Sequence, residues 1–177
     1  MSISHEIISR VQEGRLIELR PALPGSAVVR RIYASLEIND LVMGPWNDND
    51  WEIRCNQLRA DLDRFIMGGV MPVTAGKYND GKSLLKQLIP PEDEIWEIRS
   101  RDPEPSLRVF GSFAVKDTFV ALTWAKRADL GGPTSRGWRD AQVHCGVDWR
   151  NLFPAYDPLH ADTTNGFDNY VSNYFPV

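Results

Sequence analysis

Hydrophobic and polar positions alternate most regularly within residues 81–127, where three runs carry the two-residue period of β-strands. The runs are Ile95-Trp96-Glu97-Ile98-Arg99, then Leu107 to Val115, then Thr118 to Lys126. Only Lys116-Asp117 separates the last two, the length of a tight hairpin loop, although the usual Asn-Gly or Asp-Gly is missing. A two-residue loop pairs Val115 with Thr118, Phe113 with Val120, Gly111 with Leu122 and Val109 with Trp124, and that face is apolar. The opposite, wetter face carries Arg108, Phe110 and Ser112 beside Phe119, Ala121, Thr123 and Ala125, with Arg127 just beyond. The same alternation puts Glu97 and Arg99 beside Arg108, so two arginines converge on one exposed sheet surface.

The remaining pattern predicts helices around this sheet. Residues 3–14 read as an amphipathic helix stopped by Gly14, followed by strands over 15–19 and 27–37 with a turn at 21–25. After Asn47-Asp48-Asn49-Asp50, the positions Trp51, Ile53, Leu58, Leu62, Phe65 and Ile66 have helical spacing up to Gly68-Gly69, with Asp48 or Asp50 as N-cap. Residues 84–88 read as a short amphipathic helical turn halted by Pro90-Pro91. Trp138, Ala141, Cys145, Trp149 and Leu152 place one helical face over 138–153. Residues 154–177 form an arm that packs through Tyr156, Phe167, Tyr170, Tyr174 and Phe175, either over Arg99 and Arg108, where it would block an anion, or elsewhere on the fold. Together these predict a single α+β domain over residues 1–177.

The order and spacing of the central pieces resemble the RelE/ParE superfamily of bacterial toxins, within it the HigB-like, phage-Gp49-like branch. The resemblance rests on a leucine-containing helix end, the Ile95-Trp96-Glu97-Ile98-Arg99 strand, the arginine-bearing Leu107-Arg108-Val109-Phe110 strand and the closing Leu122-Thr123-Trp124-Ala125-Lys126. It covers about a quarter of the chain strongly, in a core segment of residues 77–153, and leaves the N-terminal half and residues 154–177 as extensions. The resemblance implies a twisted antiparallel sheet packed with helices, and for many members a ribosome-dependent endoribonuclease that cleaves mRNA, inhibits translation and is opposed by an antitoxin. By position it carries over Arg99 and Arg108 as strand arginines and Lys126 and Arg127 as the basic strand end. Arginine suits such a site because its guanidinium stays charged and its forked donors match phosphate oxygens as charge develops in the transition state. The plain alternative is a solvated arginine paired with Glu97 or Glu94.

Charge pulls against RNA. Twenty Lys and Arg against 24 Asp and Glu give a net charge of −4, where a protein gripping phosphates carries a basic footprint. The family-like segment is nonetheless the one region that is not negative: residues 77–140 hold 11 basic and 10 acidic side chains, and all five lysines lie there. Cys55 and Cys145 are isolated and form no C-x-x-C, which predicts a reduced cytoplasmic protein. No leader-like apolar stretch and no run near the roughly 20 apolar residues of a membrane span is evident.

Two further patterns carry chemistry. Gly76-Lys77-Tyr78-Asn79-Asp80-Gly81-Lys82-Ser83 satisfies the G-x-x-x-x-G-K-[ST] phosphate loop, but that loop requires a buried strand before it and a long helix after it, and Pro72 and Pro90-Pro91 interrupt both. The alternative is a Gly-rich turn. His144 sits on the flank of the 138–153 helix and is a candidate general acid or base if that helix borders the arginine face; otherwise it is a surface histidine. His160 and Asp162 have no matching ligand cluster, and neither a metal site nor a cofactor is expected. Two functions from different classes follow: a HigB/RelE-like mRNA endoribonuclease acting through Arg99, Arg108, Lys126, Arg127 and His144, with a helix-turn-helix antitoxin as partner, or a non-catalytic phage- or plasmid-borne module that docks on a host protein.

Overall fold

A computed structural model describes residues 2–76, 82–132 and 134–177. It is an α+β fold around one curled, mixed sheet of eight strands in the order β1-β2-β7-β6-β5-β4-β3-β8. The strands are β1 (Ile17–Leu19), β2 (Arg31–Ala34), β3 (Met71–Ala75), β4 (Leu85–Gln87), β5 (Trp96–Ser100), β6 (Leu107–Val115), β7 (Thr118–Lys126) and β8 (Tyr174–Pro176). Four α-helices accompany them: α1 (Ile3–Gln12), α2 (Leu36–Met43), α3 (Asn49–Ile66) and α4 (Arg136–Leu152). The run β5-β6-β7 is antiparallel as expected, β4 also pairs antiparallel with β5, and β2–β7, β3–β4 and β3–β8 pair in parallel. Both the N-terminal half and the C-terminal arm thus supply strands to the central sheet.

The hairpin forms where the pattern placed it, with Asp117 in the left-handed region (φ 61°), a conformation Asp tolerates better than most residues. Val115 pairs with Thr118 and Val109 with Trp124, as the two-residue loop dictates. Between them the expected register fails. Irregularities at Phe110/Gly111 and Phe113/Val115 pair Phe113 with Phe119 and Gly111 with Ala121, so Ala114 and Leu122 are the extra residues of two compensating bulges. Phe113 and Phe119 therefore share one face, in edge-on contact at 5.2 Å. The face predicted to be wet is also buried. Phe110, Val120 and Leu122 pack there under Trp138, Cys145, Trp149 and Leu152 of α4 and Ile7 of α1. At roughly 1.5–3 kcal/mol for each large side chain buried, those α4 residues are enough to fix the helix on the sheet.

The other face packs on α2 and α3 through Cys55, Leu58, Leu62, Phe65 and Ile66. Asp48 is the N-cap of α3, its carboxylate accepting from Trp51 N at 2.7 Å. Two elements differ from expectation. Residues 27–37 yield only the short β2, and Ser35 then caps α2 by accepting from Ile38 N. Residues 84–88, read as a helical turn, instead hold β4, whose Leu85 and Gln87 are both buried between β3 and β5. A three-residue strand has too few alternations to be told from a helical turn by periodicity. The C-terminal arm inserts Phe167, Tyr170 and Val171 into the α3-side core and ends as β8 on β3, away from Arg99 and Arg108. Among the described residues no helix is long and apolar enough to cross a membrane.

Candidate anion-binding cavity

Alternation along β4, β5 and β6 brings charged side chains to one patch of the α4-side face. Lys86 lies opposite Glu97, and Arg99 opposite Arg108, in adjacent cross-strand pairs. Where the N-terminal half of α4 stands over this patch, a cavity of about 440 Å³ remains. Among the described residues lining it, Lys86, Arg99, Arg108, Arg127 and Arg139 are cationic and Glu97 is the one acid. The cations are layered by depth: Arg99 and Arg108 are buried, Lys86 and Arg127 half-buried, and Arg139 exposed at the rim.

Glu97 organises the floor. It is fully buried, and its carboxylate lies 2.8 Å from Arg99 Nε and 3.1 Å from Arg108 Nε. The Arg99 contact is a hydrogen bond, whereas the Arg108 contact is an ion pair without hydrogen-bond geometry, leaving Glu97 Oε2 and Arg108 Nε unpartnered in that sense. Arg108 Nη1 donates to Ser106 Oγ and to Leu107 O, and Arg99 Nη1 donates to Ser83 Oγ at 2.8 Å. Among the described residues, Glu97 is the one carboxylate paired with these two guanidiniums. Burial pushes the Arg108 guanidinium down to about 10; Glu97 opposes that shift, and Arg99, Arg127 and Arg101 add to it. The floor therefore stays cationic at neutral pH.

Arg127 begins the 3-10 turn Arg127–Leu130, donates to Gly131 O at 2.7 Å and lies over the Trp138 ring at 5.5 Å. Arg139 is held by donation to Thr134 O at 2.7 Å. The first turns of α4 border the cavity through Thr134, Trp138, Arg139 and Gln142, and its N-cap Ser135 gives no side-chain acceptor to the helix, donating instead to Leu130 O. The amino end of α4 thus adds the positive end of its dipole. Trp138 Nε1 and Gln142 Oε1 are buried and have no hydrogen-bond partner among the described residues.

Of the five residues singled out from sequence, Arg99, Arg108 and Arg127 meet in this cavity and two do not. Lys126 follows Trp124 onto the opposite face and stands over Trp51 at 5.3 Å, because residues two apart on a strand share a face and Arg108 pairs with Ala125. His144 is exposed on the outer flank of α4, with Nε2 3.5 Å from Asp148, and does not line the cavity. The exposed arginine surface is corrected as well: Arg99 is only 5% and Arg108 7% exposed. Sequence reading missed Lys86, Arg139, Trp138 and Gln142 as cavity residues. The i, i+4 spacing of Trp138 and Gln142 was visible, but which helix edge met the sheet was not.

Within the phosphate-loop-like stretch, Lys77 to Gly81 lie outside the described residues, and the residues after Ser83 form β4 rather than a helix. His160 Nδ1 lies 2.6 Å from the buried Glu94 carboxylate, which also accepts from Tyr170 Oη and Gln87 Nε2, so this cluster clasps the C-terminal arm to the sheet. Asp162 accepts from Thr164. Among the described residues no group of three His, Cys, Asp or Glu is placed to hold a metal ion. Comparison with protein-family models, with curated proteins and with solved structures gives no match to this chain.

Proposed function

We propose that this protein binds a phosphate-bearing small ligand in the cavity between β4-β5-β6 and α4. The observation that carries the reading is the concentration of Lys86, Arg99, Arg108, Arg127 and Arg139 around 440 Å³ in a chain whose net charge is −4. Forked guanidinium donors on a desolvated floor recognise a phosphoryl group through charge-assisted hydrogen bonds. The volume lies within the roughly 300–1,000 Å³ of small-ligand pockets. Binding rather than hydrolysis is favoured because Glu97, the one carboxylate among the described lining residues, has its carboxylate engaged by two guanidiniums. Calorimetric titration with pyrophosphate tests this. Micromolar to low-millimolar binding that weakens about tenfold or more in Arg127→Ala/Arg139→Ala supports the reading, and absence of binding to the intact chain contradicts it.

A second reading is the HigB/RelE-like endoribonuclease implied by the strand resemblance, acting on ribosome-bound mRNA with an antitoxin partner. Its support is the cross-strand pairing of Arg99 with Arg108 beside Arg127, which provides the cations that a cleaved phosphodiester requires. Expression in a bacterium, with growth and mRNA ends followed for the intact chain and for Arg127→Ala, separates the two readings. New mRNA ends that depend on Arg127 favour cleavage, and unchanged ends favour binding alone.

A further inference from the structure

Resting on the reading of the cavity as a phosphate site, we infer that its ligand is a soluble phosphate monoester with a compact apolar body, an aryl or short alkyl phosphate rather than a phosphosugar. The cavity changes character along the strands that floor it. One cross-strand row is the pair Arg99 and Arg108, and the next is Lys86 opposite Glu97. Leu88 follows two residues after Lys86, and its N–H donates to Ile95 O at 2.9 Å, which continues the β4–β5 ladder by one step. Leu88 therefore lies on the same face as Lys86, about 6.5–7 Å further along. It joins Ile95 in the apolar layer under α4, and Ile89 and Pro90 complete the lining at this end. Arg127 stands at the other end, where its N–H donates to Ser106 O, two residues before Arg108.

Cations thus gather at one end of a single cavity and aliphatic side chains at the other, and a ligand that fills it must match both. Leu88, Ile89 and Pro90 offer no side-chain hydrogen-bonding group, and Pro90 has no backbone N–H. Sugar hydroxyls brought against them lose water and meet no side-chain partner there, which disfavours a phosphosugar. An aryl or alkyl group in the same place removes apolar surface from water on ligand and protein together. Ile89 is the residue on which this gain depends most. It is 39% exposed, a large apolar side chain left wet where the cavity opens, whereas Leu88 is already buried. The phosphate takes the opposite end, and the depth of Arg99 and Arg108 there suits a terminal group on a small molecule.

The test is a calorimetric comparison of phenyl phosphate and n-butyl phosphate with glycerol 3-phosphate and pyrophosphate, using the full chain and its Ile89→Ser and Ile89→Leu variants. Phenyl or butyl phosphate is expected to bind about tenfold or more tightly than glycerol 3-phosphate, which carries the same phosphate monoester on a hydroxylated body. That ratio is expected to fall at least about threefold in Ile89→Ser and to be kept in Ile89→Leu. The ratio is internal to each protein, so a general loss of affinity does not imitate the effect. Equal affinity for the three esters, with pyrophosphate still bound, would overturn the apolar-body inference and leave the anion site standing. A ratio unmoved by Ile89→Ser would overturn it by placing the apolar body elsewhere. Co-sedimentation with phosphatidic acid and phosphatidylcholine vesicles, without binding of the soluble esters, would overturn it in favour of a lipid surface. Failure of pyrophosphate and every ester to bind would remove the anion site itself.

Discussion

Arg99 and Arg108 are direct cross-strand partners on β5 and β6, and the carboxylate of Glu97 joins both, at 2.8 Å and 3.1 Å from their Nε atoms. Two like charges side by side in a sheet repel, and burial strengthens that repulsion. Glu97 lies between the two guanidiniums and offsets that repulsion, holding the pair together. If the cavity takes an anion, as proposed, a phosphoryl group would add to the offset that Glu97 provides.

Replacing Glu97 isolates this effect. Glu97→Gln keeps the shape but removes the charge between two buried guanidiniums, and a loss of roughly 3 kcal/mol in unfolding free energy is expected, the usual scale for breaking a buried ion pair from one side. Added sulfate should recover more of the melting temperature in the variant than it adds to the intact protein. Equal sulfate responses in thermal melts would argue against Glu97 as the counterion of the floor.

The pH profile of anion binding follows from the groups present. With sulfate as probe, which keeps its charge throughout, affinity is expected to be level from about pH 6 to 9 and to fall as Arg108 loses its proton near 10. The sign for stability is opposite. Burial holds the folded-state pKa of Arg108, about 10, below its ordinary value, so above that pH the folded chain binds fewer protons than the unfolded one, and this group's unfavourable contribution is relieved as pH rises from there toward the ordinary arginine range.

His144→Ala and Lys126→Ala are expected to leave pyrophosphate affinity within about twofold, since His144 faces Asp148 on the outer flank of α4 and Lys126 lies over Trp51 on the far side of the sheet. A tenfold loss in either variant, measured by calorimetry, would place the anion elsewhere than in the cavity.

Gly111 sits at a bulge of β6, where a Cβ would meet the Phe119 ring at 2.7 Å and the Val120 carbonyl still more closely. Gly111→Ala is therefore expected to destabilise the fold by about 2 kcal/mol or more, because the obstructing atoms include backbone that cannot turn away. An unchanged denaturation midpoint would show that the β6–β7 register differs from the one described.

How much of this was legible in the sequence can be argued residue by residue. The strands carrying Arg99 and Arg108, the hairpin at Lys116-Asp117, an α3 cap at Asp48 or Asp50 and the apolar face of α4 were all readable, because alternation and helical spacing are local signals. The double bulge was not, because the compensating extra residues Ala114 and Leu122 look like ordinary strand positions until Phe113 and Phe119 are seen packed together. Burial of the arginine face was hidden for a related reason. Phe110 and Trp138 meet edge-on across 28 positions of sequence, and no periodicity within either element announces that contact. Arg30 is the most complete omission. Fully buried, it donates to Phe65 O, Gly69 O, Ser172 O and Asn173 O, tying α3 to the C-terminal arm, yet it stands beside Arg31 in an unremarkable polar pair.

The measurement that bears most directly on the central claim is a crystal structure of the full chain soaked with tungstate, a heavy phosphate analogue located by its anomalous signal. The account predicts a peak within the cavity, in contact with Arg108 and Arg127 and bounded by α4. Tungstate found only at surface lysines, with the cavity holding none at a concentration that saturates pyrophosphate binding, would contradict it.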